Sequence, residues 1–172
     1  GPGDQFDLRE ENGQAIFNRL NLGLFTLTNE SIEQFEISGQ GGDDSLTVGN
    51  LTGSDVQKVV FSGGDGNDVL DARESSPTIE AFGGDGNDLL QGGSAVDTFF
   101  AGAGDDIVVG QRGNDIAYLE DGDDRFIWNN GDGSDFINGG LGFDVTQVNG
   151  ADGAGDEFDL RQVDGQAIFN RL

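Results

Sequence analysis

Carboxylates at regular intervals are the chemistry this chain offers. Asp44, Asp68, Asp88, Asp97, Asp106, Asp115, Asp124, Asp135 and Asp144 recur along its middle, and from Asp88 to Asp124 every step is nine residues. The other steps are 24, 20, 11 and 9. Each aspartate ends a glycine-rich hexamer and is followed two residues later by an apolar or small residue. Carboxylates are hard oxygen donors for hard cations, and in close pairs they can move protons. A fixed short period means that each unit stacks on its neighbours, so the carboxylates should fall into rows.

Proton chemistry is the weaker of the two uses. The chain holds no His and no Cys, so no Cys–His or Ser–His pair can form, and no segment reads as a substrate pocket. The expectation is therefore a protein that is not an enzyme. Thirty-three Asp and Glu stand against eight Lys and Arg, a formal net charge of −25. That excess repels a nucleic-acid backbone and opposes compaction unless a cation offsets it. Without cysteine there is no disulfide framework. No run of about 18 apolar residues exists to span a membrane. Leu, Ile, Val and Phe still number 47 of 172 residues, enough for a core.

The elements that must position the aspartates are short. The repeat reads Gly-Gly-x-Gly-x-Asp-x-U-x, with U apolar. Gly63, Gly64, Asp65, Gly66 and Asp68 fit it, as do Gly83, Gly84, Asp85, Gly86 and Asp88. Partial copies keep Gly92, Gly93 and Asp97; Gly102, Gly104 and Asp106; Gly110, Gly113 and Asp115; Gly122 and Asp124; Gly131, Gly133 and Asp135; and Gly140, Gly142 and Asp144. A looser turn runs from Gly39 to Asp44. The density of glycine, 31 in the whole chain and most of them here, excludes a helical fold through this region. Each unit is thus a tight turn followed by a strand of about three residues. The U positions Leu46, Leu70, Leu90, Phe99, Val108, Ala117, Phe126, Ile137 and Thr146 should point inward. Phe126 and Trp128 are expected in the core or at a cap. Alternating segments at Leu24–Thr28, Ile32–Ile37, Val56–Phe61 and Thr78–Phe82 read as strands of wider coils continuous with the short ones.

Two units make one coil, so turns on one edge lie 18 residues apart. One row should hold Asp88, Asp106, Asp124 and Asp144, and the opposite row Asp97, Asp115 and Asp135. Adjacent coils sit about 4.8 Å apart. Calcium binds six to eight oxygens at about 2.3–2.6 Å, so an ion fits between stacked turns. The aspartates and the glycine-turn carbonyls are the donors expected. Oxygen-only ligation argues against zinc and copper, and magnesium's strict octahedron suits such an edge poorly. About five to eight calcium ions are expected, at affinities near 10⁻⁴–10⁻³ M.

A longer repeat overlies the short one. Residues 3–20 and 155–172 are identical at 14 of 18 positions, 152 residues apart. Each copy reads as a hairpin, with Asn12-Gly13 and Asp164-Gly165 as turn signals. The chain accordingly divides into an expression-tag scar at 1–2, β-rich coils at 3–38 that open one tandem unit, a calcium-binding roll at 39–148, and the start of the next unit at 149–172. Neighbouring tandem copies are expected partners, with head-to-tail association through uncovered sheet edges.

The nonapeptides at 63–71 and 83–91, and their partial copies to 144, resemble the RTX calcium-binding nonapeptide family. That resemblance implies an all-β fold, a right-handed parallel β-roll or β-helix solenoid, with calcium held in the turns by the sixth-position Asp and by turn carbonyls. It also implies bacterial type I secretion, disorder in low-calcium cytosol and folding outside the cell. A structural module of a secreted or cell-surface protein, such as an adhesin, is the function expected. The alternative is a secretion and folding accessory domain of a secreted hydrolase or toxin. The turns at Leu119-Glu120 and at Trp128–Asn130 depart from the family pattern.

Overall fold

A computed structural model describes residues 3–20, 25–151, 158–163 and 166–171. Gly1-Pro2 and the Asp164-Gly165 turn lie outside these residues. Every regular element among them is a strand, and no helix is long and apolar enough to cross a membrane.

From residue 34 to residue 149 the chain winds as a parallel solenoid. Strands β4 (Gln34–Gly41), β6 (Lys58–Asp65), β8 (Thr78–Asp85), β10 (Thr98–Ala103), β12 (Ile116–Asp121) and β14 (Phe136–Asn138) build one sheet. Strands β5 (Ser45–Val48), β7 (Val69–Asp71), β9 (Leu89–Gln91), β11 (Ile107–Val109), β13 (Arg125–Asn129) and β15 (Val145–Asn149) build the other. The chain alternates between the sheets, so twelve strands make six coils among the described residues. The all-β roll read from the sequence is the fold observed.

Period-two alternation sends one side chain of each short strand inward. Leu46, Leu70, Leu90, Val108 and Phe126 form one buried column, and Phe61, Ala81, Phe99 and Ala117 face it from the other sheet. Phe61 and Phe99 alternate with the two alanines, so large and small residues interdigitate in a narrow space. Trp128 and Ile137 pack partly buried against this core. Thr146 ends its column exposed, on the outermost strand of its sheet among the described residues.

The N-terminal segment differs from expectation. Strands β1 (Gln5–Glu11), β2 (Gln14–Arg19) and β3 (Phe25–Asn29) form an antiparallel meander, not coils. The cause is the connection. Asn12 and Gly13 take φ of 56° and 82°, the left-handed pair of a two-residue type I′ hairpin, which reverses the chain at once. The meander joins the roll because β1 pairs in parallel with β5. Phe6, Leu8 and Phe17 then close the N-terminal end of the core. In the second copy of this sequence, strands Phe158–Val163 (β16) and Gln166–Arg171 (β17) form the same antiparallel pair.

Not every turn suits its residue. Glu120 lies in register with Gly102, which has φ of 116°, and itself adopts φ of 74°. A side chain in the left-handed region is strained by about 1 kcal/mol. Glu120→Gly is expected to stabilise the calcium-loaded chain by about that amount, seen as a higher urea midpoint with unchanged slope.

Candidate metal centre

The two edges of the roll are built differently. All hexamers on the first edge, beginning at residues 39, 63, 83, 101, 119 and 139, have the same length and stack directly. The length changes that break the nine-residue period fall on the second edge, in residues 48–59, 72–79 and 128–135, where the undisturbed turns 92–97 and 110–115 stand in register. There the first two coils close over buried Leu51, Val56 and Ala72 instead of aspartate. Asp44 and Asp68 therefore join Asp88, Asp106, Asp124 and Asp144 in one row, extending the four expected. The second row holds Asp97, Asp115 and Asp135, as expected.

Within each row every aspartate reaches back one coil. Asp68 Oδ1 accepts the Asp44 backbone N–H at 2.6 Å, Asp88 Oδ1 that of Asp68 at 2.7 Å, and Asp106 Oδ1 that of Asp88 at 2.7 Å. Asp124 and Asp144 continue the series at 2.8 and 3.2 Å. At its base the Asp4 N–H donates to Asp44 Oδ1, which ties the meander to the roll. In the second row Asp97, Asp115 and Asp135 accept from Ile79, Asp97 and Asp115 at 2.7, 2.8 and 2.9 Å.

These carboxylates do not lie on open edges, as the spacing alone suggested. Asp44, Asp68, Asp88, Asp97, Asp106, Asp115 and Asp124 are all at most 3 % exposed. At several turns glycine makes the room: a Cβ on Gly63 or Gly83 would collide with Oδ2 of Asp68 or Asp88, whereas Ala101 and Leu119 open the turns of the equally buried Asp106 and Asp124. Gly39, Gly92, Gly110 and Gly139 stand in the same relation to Asp44, Asp97, Asp115 and Asp144.

The second carboxylate oxygen is the informative atom. Oδ2 of Asp44, Asp68, Asp88, Asp106, Asp115, Asp124 and Asp135 is buried with no hydrogen-bond partner. Leaving a carboxylate oxygen unpaired away from water costs several kcal/mol. Asp97 is the exception in its row, because its Oδ2 accepts the Gly93 N–H at 2.8 Å. Burial, by stripping hydration, pushes Asp88 and Asp97 up to about 6 and Asp106 and Asp115 up to about 7. The same cause raises Asp68, Asp124 and Asp135.

Backbone carbonyls complete the donor set. A Cβ on Gly64, Gly84 or Gly102 would meet the carbonyl oxygen of Gln40, Gly64 or Gly84 one coil earlier. Fourth-position Gly66, Gly86, Gly104, Gly122 and Gly142 face carbonyls of Gly42, Gly66, Gly86, Gly104 and Gly122 in the same way, and Gly113 and Gly133 face Ala95 and Gly113. The carbonyls thus point along the axis into glycine-lined space between turns. Among the described residues no three acidic side chains converge on one point. One buried carboxylate oxygen beside a file of carbonyls is an all-oxygen set, which fits calcium and no softer ion. When bound, the ion supplies the positive charge that the buried carboxylates otherwise lack.

The other residues named from the sequence are placed less centrally. Asp65 and Asp85 are exposed at strand ends, and Gly131 has open space around it. Gly140 packs against the Glu120 carbonyl. The sequence pattern left the fifth position of the repeat unassigned. There Oδ1 of Asp43, Asn67, Asn87, Asp105 and Asp123 each accepts a backbone N–H from the following coil, at 2.8–3.0 Å. Asn114 does so on the second edge, toward Ser134. The recurrence of Asn and Asp at that position was the available signal. This outer ladder reaches forward while the buried aspartates reach back, so consecutive turns are laced in both directions.

A comparison with curated proteins finds no match. A family model for the RTX calcium-binding nonapeptide repeat matches four times, at residues 60–76, 82–117, 100–127 and 130–145. These matches cover the coils that carry Asp68 to Asp144, while the first coil, with Asp44, lies outside them. Residues 60–76, 82–127 and 130–145 accordingly carry RTX calcium-binding nonapeptide repeats.

Proposed function

We propose that the chain is a calcium-dependent folding module of a secreted or cell-surface bacterial protein. It contains one unit of a tandem scaffold and the start of the next, and it stacks on neighbouring copies. Before export the carboxylates stay hydrated on an unfolded chain. In calcium-rich surroundings the ion replaces that hydration, and its binding free energy becomes folding free energy. The observation that carries this reading is the set of seven buried Oδ2 atoms without partners, Asp44 to Asp135. A roll that hides so many unpaired carboxylate oxygens, in a chain of net charge −25, needs a cation to be stable. The 14-of-18 copy at 152 residues supports an extended array over a solitary accessory domain.

Calcium titration of the metal-stripped chain, followed by circular dichroism, tests it. A flat, disordered spectrum in excess chelator and a cooperative gain of β structure at submillimolar to millimolar calcium are expected. Full β structure in excess chelator at neutral pH would overturn the switch.

A further inference from the structure

The two ends of the larger sheet are matched to each other. Its order runs β15-β13-β11-β9-β7-β5-β1-β2-β3, so β15 and β3 are its two edges. β1 is parallel to β5, and two antiparallel steps, β1 to β2 and β2 to β3, restore that direction. β3 therefore runs the same way as β15. From this geometry we infer that β15 of one unit takes β3 of the next unit as its parallel neighbour, which continues one sheet through the array. The inference rests on the tandem reading above and names its contact surface.

Backbone polarity supports the pairing. The Val145 N–H donates to the Asp124 carbonyl at 2.8 Å, so Val145, Gln147 and Asn149 face β13. By alternation the N–H groups of Thr146 and Val148 face outward along the edge. On the other side the Leu20 N–H donates to the Gln5 carbonyl at 2.8 Å, which sets the alternation through β2 and turns Phe25, Leu27 and Asn29 toward it. Thr26 and Thr28 then present the outward groups of β3.

The connecting segment has the right length. With β3 and β2 of the next unit in place, its first strand lies three strand spacings from β15, about 14 Å. The chain must also return along a five-residue strand, about 16 Å, so the diagonal is about 22 Å. Eight residues separate Asn149 from Phe158, and nine peptide steps reach about 30 Å. The next unit can therefore dock directly but cannot stray far.

The test uses the full chain in saturating calcium, where β15 of one molecule can take β3 of another. Because the two edges differ, the contact is head-to-tail and grows without closing. Analytical ultracentrifugation should show a ladder of species that lengthens with concentration. Val148→Pro removes one outward N–H from β15, and Thr28→Pro one from β3, each at an edge where proline is tolerated. Each variant alone should stay monomeric, and an equimolar mixture should stop at a dimer. In the wild-type assembly, amide exchange should slow at least tenfold at Thr28, Thr146 and Val148, whatever the variants do. A chain that gains β structure with calcium yet stays monomeric with unprotected edge amides overturns the pairing and leaves the calcium reading standing. A closed symmetric dimer also overturns it. A chain that gains no β structure with calcium overturns both.

Discussion

Stripped of calcium on a chelating resin and acidified from about pH 7.5 to pH 5, the chain is expected to regain β structure without any metal. The physical reason lies in the buried aspartates. Burial holds Asp88 and Asp97 at about 6 and Asp106 and Asp115 at about 7, above the ordinary 3.8. A carboxyl raised in the folded state favours folding below its unfolded value, and that advantage is lost as pH rises through the folded value. Between about pH 4 and pH 7 the ion-free roll binds more protons than the unfolded chain. Each such carboxyl then adds about 1.4 kcal/mol of stability per pH unit of acidification. Protons do what calcium does, by removing buried negative charge. With calcium present the sign reverses, because metal binding requires the deprotonated group and weakens in acid. Circular dichroism across this window, with and without calcium, should give two curves of opposite slope. A metal-free chain equally unfolded at pH 7.5 and pH 5 would show that the buried carboxylates are not what holds it open.

The second large effect is a substitution whose sign depends on the metal. Asp106→Asn keeps an acceptor for the Asp88 N–H, now 2.7 Å away, and puts a neutral amide NH2 in place of the charged oxygen that has no partner. Without calcium at neutral pH the variant should be more stable than the parent by about 1–3 kcal/mol, the scale of relieving a buried unpaired polar group. With calcium it should bind at least tenfold more weakly at the turns beside residue 106. That corresponds to about 1.4 kcal/mol or more. Asp105→Asn is the control. It removes the same formal charge from an exposed side chain whose Oδ1 accepts the Asp123 N–H at 3.0 Å. Its calcium midpoint should barely move. Urea denaturation at both calcium extremes measures the stabilities, and isothermal titration measures the sites. Loss of stability in both conditions would make Asp106 a structural residue only.

Much of this architecture was legible in the chain. The nine-residue step from Asp88 to Asp124 required stacked units, and glycine at fixed offsets required tight turns. Asn12-Gly13 announced a hairpin, yet Leu24–Thr28 was read as part of a coil. Periodicity reports that a segment is a strand but not which way its neighbour runs, and β3 follows a reversal. Spacing alone does not place Asp44 and Asp68 in a row, since their steps of 24 and 20 depart from the period. They are regular on the edge that matters, since the extra residues sit on the opposite edge around Leu51 and Val56.

The sequence by itself determined the repeat, the all-β roll, the two rows and the oxygen-only chemistry, because all of these follow from residue type and spacing. Tertiary structure alone decided which aspartates lack a partner. Asp97 and Asp115 occupy the same slot in the repeat, yet Gly93 donates to Oδ2 of the first and nothing donates to that of the second. That difference depends on where one N–H points after the coils have closed, and no spacing rule encodes it.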